Sequence, residues 1–476
     1  MNHKTKIPPS IKTIYLMAVC GTGMGSLAGL LKQRGYHVCG SDSNIYPPMS
    51  TELGKQGIEI FSPYAALNIK RVNPDLVIVG NAISKTNPEA DFLIHSSIPY
   101  CSMPEALNHF FLSDKEVIVI TGTHGKTTTS ALMAHMLCEL GLDPSFMVGG
   151  VLNNFSSNFK TGTGEYFVIE GDEYDTAFFD KGPKFLHYNP RHVIMTSLEF
   201  DHADIYKDLN QITQNFIKLA RIIPPQGSLH FCDESSELKK VVKEAATSNI
   251  VMYGDDSSEW RVQNYTPLAT GSEFDIQVCG RQRAHITSPQ TGRYNAHNVA
   301  ACLSVINTLK LNVALAAASL KTFRGIKRRQ EILYQDDQTI IIDDFAHHPT
   351  AVDKTITAVK EMFPTHHLVA IFEPRSNTSR RAVFQKEYTA SFAKAHEVIM
   401  APVNQPEKVA DGRILDVPAM VACLKQQGIT AHAVGGTQDI IDVIRAIKKR
   451  PRVLLVMSNG GFDGIHQKLI REIKQQ

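Results

Sequence analysis

Thr121-Gly122-Thr123-His124-Gly125-Lys126-Thr127-Thr128 lies between an apolar run, 117–120, and a segment with the periodicity of a helix. In that segment Leu132, Met133, Met136, Leu137 and Leu140 keep the 3.6-residue period of an amphipathic helix, and Gly141 suits its end. Strand, glycine-rich turn and helix in this order make a phosphate-binding loop. Glycines let backbone N–H groups approach phosphate oxygens, and a helix N-terminus adds partial positive charge. Lys126 can reach the β- and γ-phosphates of ATP, and the Thr127 hydroxyl can ligate Mg²⁺. Only two residues separate Gly122 from Gly125, so the loop is a shortened variant of the usual spacing. The bland alternative is a strand–helix turn with an incidental lysine. It requires strand, glycines, lysine, threonine and helix to coincide. Gly122, Thr123, His124, Gly125, Lys126, Thr127 and Thr128 are therefore the candidate ATP contacts.

Outward from this loop the chain alternates strands and helices. A length of 476 residues suggests about three domains, and we place them at 1–113, 114–328 and 329–476. In the first, the run 11–19 leads into Gly21-Thr22-Gly23-Met24-Gly25. A helical pattern through Leu27, Leu30 and Leu31 follows and ends at Gly35. A second strand, 36–39, closes on Gly40-Ser41-Asp42, and 76–80 reads as a strand buried on both faces. The second has further strands at 167–170 and 193–197, an antiparallel patch within 250–290, and an Ala-rich helix, 296–309. The third has strands at 339–343, 367–372, 398–402 and 453–457. Helical stretches separate them, one with Phe384, Tyr388 and Phe392 at i, i+4 and i+8. The fold class is α/β, with Rossmann-like domains flanking a central P-loop domain.

Lys plus Arg number 49 against 47 for Asp plus Glu, which gives no reason to expect a nucleic acid or an anionic membrane as partner. No run approaches the roughly 18 apolar residues of a membrane span, and the first residues carry no apolar signal segment. The eight cysteines form no Cys-x-x-Cys pair and read as buried free thiols. A cytoplasmic setting fits. Asp172, Glu173 and Asp175 sit near a strand end, either as site carboxylates or as solvated loop charge. Gly21-x-Gly23-x-x-Ser26 with Asp42 imitates a dinucleotide fingerprint and, taken alone, suggests an NAD-dependent oxidoreductase. The same geometry cradles any pyrophosphate, and the oxidoreductase leaves the ATP loop and the third domain without a role.

The shortened loop resembles that of the Mur ligase family. Further motifs follow in the family's order. Glu170 stands in Ile-Glu-Gly-Asp-Glu-Tyr-Asp and His202 in Asp-His-Ala-Asp. Asn295 and Asn298 stand in Gly-Arg-Tyr-Asn-Ala-His-Asn, Arg329 in Gly-Ile-Lys-Arg-Arg, and Asp344 in Asp-Asp-Phe-Ala-His-His-Pro. The resemblance covers nearly the whole chain. It implies ATP-dependent joining of a UDP-sugar carboxylate to an amine through an acyl phosphate, in cell-wall biogenesis. It implies catalytic roles for Lys126, Glu170 and His202, with Thr127 and Glu170 on one Mg²⁺ and Glu170 and His202 on a second. Asn295 and Asn298 would face adenine, or alternatively cap their helix. Arg329 would reach a phosphate and Asp344 the ATP ribose. Gly21, Thr22, Gly23, Met24 and Gly25 would hold the UDP pyrophosphate and Asp42 the uridine. Asn81 and Ser84 would complete that site, or form an ordinary turn.

Four runs are similar to family members that join UDP-N-acetylmuramate to the murein tripeptide L-alanyl-γ-D-glutamyl-meso-diaminopimelate in peptidoglycan recycling. They are Val-Cys-Gly-Thr-Gly-Met-Gly at 19–25, Gly-Ser-Asp-Ser-Asn-Ile-Tyr-Pro-Pro-Met-Ser at 40–50, Glu-Pro-Arg-Ser-Asn-Thr at 373–378 and Ser-Asn-Gly-Gly-Phe-Asp-Gly-Ile-His at 458–466. The alternative is a member that uses free L-alanine in de novo synthesis. Arg375, with Ser376 and Asn377, is expected to meet a carboxylate of the peptide, because a guanidinium recognises carboxylates bidentately. The alternative for Arg375 is an exposed pair with Glu373.

Overall fold

Apolar runs rich in β-branched residues form the inner strands of three large sheets. The computed structural model describes residues 7–45, 49–201, 206–245, 248–255, 257–409 and 412–475. The first sheet runs Glu59–Phe61, His37–Ser41, Thr13–Met17, Leu76–Val79, Tyr100–Ser102, all parallel. Its order reverses between Thr13–Met17 and Leu76–Val79, where doubly wound sheets open a ligand crevice. The helix Thr22–Gln33 buries Leu27, Leu30 and Leu31 as its period predicts. It stops before Gly35, whose φ of +91° a side chain would resist.

Among the described residues the second sheet has ten strands. Asn249–Gly254, Ser228–Cys232, His192–Met195, Glu116–Thr121, Tyr166–Gly171 and Ser145–Leu152 form its parallel centre. The expected antiparallel patch is the meander Trp260–Leu268, Gly271–Val278, Arg281–Ser288 at one edge. Ser157–Lys160 closes the other edge, and a hairpin, Asp175–Ala177 with Asp180–Pro183, stands apart. The helix after the P-loop, Lys126–Glu139, is not amphipathic. It is buried without a break from Thr127 to Leu137, because the helices Arg293–Thr308 and Val313–Ser319 cover the faces the sheet leaves open.

The third sheet runs Glu331–Gln335, Thr339–Asp344, Arg452–Met457, His367–Phe372, Glu397–Met400, Thr430–Ala433, with the first strand antiparallel. Phe384, Tyr388 and Phe392 do not share one helix. A 3₁₀ turn, Ala382–Phe384, precedes the helix Gln385–Ser391, and Phe392 follows it. Tyr388 and Phe392 still pack on Phe372.

The first two sheets share one apolar core, continuous from Ile14 and Leu30 to Phe159, Phe185 and Leu229. Phe159 packs against the helix Thr22–Gln33 so closely that a Cβ on Gly29 would lie 2.2 Å from its ring. Asn158 Nδ2 donates to Ser26 Oγ at 2.8 Å beside it. The third sheet has apolar clusters of its own on each face. Among the described residues no helix is long and apolar enough to cross a membrane. All eight cysteines are free, but not all are buried as expected, since Cys279 is exposed on the outer meander.

Candidate active site

The P-loop geometry requires its glycines. Gly122 and Gly125 have φ of +130° and +83°, a region L side chains rarely adopt. A Cβ on Gly122 would lie 2.2 Å from Thr196 Oγ1, and one on Gly125 3.1 Å from Asn298 Oδ1. His124 N–H donates to Ser197 Oγ at 2.9 Å and Thr123 N–H to the Ser197 carbonyl at 3.1 Å, which fixes the turn. No side chain caps the start of the following helix, so its first N–H groups point at the space an anion would fill.

Lys126 Nζ donates to the Gly122 carbonyl at 2.7 Å and to Glu173 at 3.1 Å. Burial works against its charge, but Glu173, Asp172 and Glu170 outweigh that and hold its pKa above the ordinary lysine value. Glu173 is only 3% exposed, so it is a buried counter-ion and not solvated loop charge. Glu170, at the end of the strand Tyr166–Gly171, accepts from Thr127 Oγ1 at 3.3 Å and from Gly149 N–H at 2.5 Å. Burial, then the nearby Asp172, push its carboxyl up to about 7 against the opposing pull of Gly149, Lys126 and Arg329. Two hard oxygen donors beside the loop, Thr127 and Glu170, fit a divalent cation such as Mg²⁺. His202 lies outside the described residues. Its neighbour Asp201 is buried and accepts from Thr378 Oγ1 of the third domain at 2.5 Å.

Arg329 reaches into the loop from the domain junction. It donates to Thr127 Oγ1 at 3.2 Å, and its guanidinium lies 4.6 Å from the centre of the Phe345 ring. Asp344 accepts from the Gln330 and Ala346 N–H groups, each at 2.8 Å, and so ties this junction to the third sheet. Burial raises its pKa, with Arg329 opposing. Asn295 Nδ2 donates to the Thr291 carbonyl at 2.8 Å, just before its helix, and its Oδ1 accepts from Asn298 at 3.2 Å. The first of these bonds belongs to the helix start, whereas Asn298 Oδ1 abuts Gly125.

A second set of contacts crosses the same cleft. Thr350 Oγ1 donates to Glu199 Oε2 at 2.6 Å, and His348 Nε2 donates to the Phe200 carbonyl at 3.2 Å. The His348 and His124 rings are 4.7 Å apart, and His124 Nε2 lies 3.5 Å from Glu199. Burial would raise the Glu199 pKa, but His124, Thr350 and His348 bring it down to about 2. The sequence reading missed Glu199, since nothing local distinguishes it from a surface carboxylate.

At the carboxyl edge of the first sheet, Thr22 to Gly25 form the first turn of the helix Thr22–Gln33, and its N-cap, Gly21, has no side-chain cap. Gly25 is also a packing requirement, since a Cβ there would lie 2.2 Å from Met49 Sδ. Asp42 braces this turn by accepting from Cys20 N–H at 2.9 Å, and it also accepts from Asn44 N–H at 2.9 Å. Asn81 and Ser84 are exposed on the turn after Leu76–Val79, at the same edge. In the third domain Arg375 lies against Gly460, where a Cβ would come within 2.1 Å of its Nε, and 3.8 Å from Glu373. Ser376 Oγ bonds Ser379 Oγ at 2.9 Å, and Asn377 Oδ1 accepts from Arg380 at 3.1 Å.

A P-loop core, a pyrophosphate-type edge packed onto it, and a third domain that reaches the loop by an arginine are the parts of a nucleotide-dependent three-domain ligase. Known proteins agree. The Mur ligase family catalytic domain matches residues 13–114, the Mur ligase middle domain 120–306, and the Mur ligase glutamate ligase domain 328–460. The chain belongs to the Mur ligase family. It is 38% identical to the UDP-N-acetylmuramate–L-alanyl-γ-D-glutamyl-meso-2,6-diaminoheptandioate ligase of Escherichia coli (strain K12), over 96% of this chain and 97% of that one. A crystal structure of a murein peptide ligase from Psychrobacter arcticus matches with TM-score 0.73 and 32% identity, covering 97% of this chain and 98% of that one. The UDP-N-acetylmuramate–L-alanine ligase of Clostridium tetani is 30% identical over 94% of this chain and 96% of its own.

Proposed function

We propose that this chain joins the lactyl carboxylate of UDP-N-acetylmuramate to the alanyl amine of L-alanyl-γ-D-glutamyl-meso-diaminopimelate, converting ATP to ADP and phosphate, in cytoplasmic peptidoglycan recycling. The observation that carries this reading is the near-full-length identity of 38% to a ligase of that name, against 30% to one for free L-alanine. The carboxylate takes the γ-phosphoryl group to give an acyl phosphate. The amine then attacks the acyl carbon, phosphate leaves, and the amine's proton is released. Lys126 and Arg329, with the first N–H groups of the helix Lys126–Glu139, would bear the charge on the phosphoryl group. Thr127 and Glu170, with His202, would hold Mg²⁺, which when bound neutralises phosphate charge. The edge carrying Gly21–Gly25, Asp42, Asn81 and Ser84 is assigned to UDP, and Asn295, Asn298 and Asp344 to the nucleoside of ATP.

A coupled assay of ADP release with UDP-N-acetylmuramate tests this. The tripeptide should exceed free L-alanine in kcat/KM by about 100-fold or more, the scale on which a site built for polar groups rejects a substrate that lacks them. Equal use of L-alanine would replace this reading with the L-alanine ligase. No ADP release with either amine would remove both.

A further inference from the structure

The third domain holds a cavity of about 280 Å³ lined by Asn377, Arg380, Arg381, Lys408 and Val409. It opens beyond the carboxyl end of the strand His367–Phe372, where parallel sheets present ligand-binding loops. The run 375–381 connects it to the reaction centre, since Thr378 of that run bonds Asp201 beside the His202 position. Arg380, Arg381 and Lys408 give it a cationic lining, which suits an anionic ligand.

Arg380 is the anchor. It is 7% exposed, and its plane is fixed by bonds from Nε to the Asn404 carbonyl at 2.6 Å and from Nη1 to Asn377 Oδ1 at 3.1 Å. Burial lowers its pKa and the positive charge of Arg375 adds to this, with Glu407 and Glu373 opposing. A ligand carboxylate would relieve that burden. Arg375 lies outside this cavity, against the Gly460 backbone and 3.8 Å from Glu373.

The substrate chemistry supplies the anion. In L-alanyl-γ-D-glutamyl-meso-diaminopimelate the reacting amine is at one end, and every carboxylate lies beyond it, one on the glutamyl residue and two on diaminopimelate. Free L-alanine has its carboxylate on the carbon that bears the amine. It cannot occupy both the reaction centre and a cavity at the far end of the run. We propose that the cavity of Asn377, Arg380, Arg381 and Lys408 seats the distal carboxylates of the peptide and thereby selects it over a free amino acid. This rests on the proposed function and names the residues that would enforce it.

The experiment uses the full-length enzyme with four amines: the diaminopimelate tripeptide, the same tripeptide with L-lysine in its third place, L-alanyl-D-glutamate, and L-alanine. The L-lysine form lacks one distal carboxylate. Arg381→Ala and Lys408→Ala should each raise KM for the diaminopimelate tripeptide about tenfold, the worth of one charge-assisted bond, with kcat and the KM for ATP and UDP-N-acetylmuramate within about twofold. The L-lysine tripeptide should lose less than the diaminopimelate one, and L-alanyl-D-glutamate least. Arg380→Lys keeps the charge at the buried position and tests its fork geometry in a variant expected to fold. An unchanged KM for the tripeptide in Arg381→Ala and Lys408→Ala, or an equal change for all amines, overturns the assignment. If the wild-type enzyme itself refuses the tripeptide and takes L-alanine, the failure lies in the proposed function, and no variant is needed to see it.

Discussion

Replacing Lys126 with alanine removes a partly buried cation that the Gly122 carbonyl and Glu173 hold in place. Ligation should fall at least ~100-fold, about 3 kcal/mol of transition-state stabilisation. Calorimetric titration with UDP-N-acetylmuramate should be unchanged, because that site is assigned to another sheet. Gly122→Ala acts through geometry instead. Its φ of +130° and the 2.2 Å approach to Thr196 Oγ1 leave a methyl group no room. The strain should cost about 1–3 kcal/mol, read as a lower Tm, and ATP binding should be lost with the loop shape. Lys126, Thr127 and Glu170 were legible because short motifs carry them, and the strand–turn–helix unit brings the first two to the tip of a third strand. Glu173 and Glu199 were not. Their roles are decided by partners 47 and 151 residues away, Lys126 and Thr350, and no window of sequence contains both ends of either pair.

The strands His192–Met195 and Ser228–Cys232 carry two histidines into the middle of the central sheet. His192 Nδ1 bonds Ser228 Oγ at 2.7 Å, Ser228 Oγ bonds His230 Nε2 at 2.8 Å, and His230 Nδ1 bonds Ser304 Oγ at 2.7 Å. Burial, with the charge of Arg191, lowers His192 to about 4, and burial, with His192, lowers His230 to about 3. In the unfolded chain both titrate near 6.5. The folded chain therefore binds fewer protons below that value. Stability is complete above pH 6.5 and falls as the pH drops through 6.5 toward about 4 and then about 3. Thermal melts at pH 7.5 and 5.0 should show this loss, and His192→Gln, which keeps a polar partner for Ser228, should show a smaller one. At this scale the parallel centres of the sheets were legible as apolar runs. The strand Thr430–Ala433 was not, because Thr-Ala-His-Ala at a sheet edge buries one residue and has no apolar run to show. The helix Lys126–Glu139 misled for the opposite reason, since the helices that cover its outer side come from residues 293–319.

Across the cleft, Arg329 to Thr127, Thr350 to Glu199 and Thr378 to Asp201 are side-chain bonds between the third domain and the central one. Thr350→Val and Thr378→Val should each remove about 1 kcal/mol, an approximately fivefold shift toward separation of these domains. Small-angle scattering of the nucleotide-free double variant should give a larger radius of gyration than wild type, and KM for ATP should rise. An unchanged radius would mean that the remaining contacts suffice. The first and central domains offer no such hinge, because Phe159 against Gly29 and the bond from Asn158 to Ser26 sit inside one continuous core. For the trading of modules between related chains, by recombination or by design, this molecule has one clean seam. A cut near 328 separates pieces that each keep their apolar interior, so the third domain can be inherited or grafted as a unit. A cut near 114 would strand half a core in each parent, and the hybrid would have to find a matching half before it could fold.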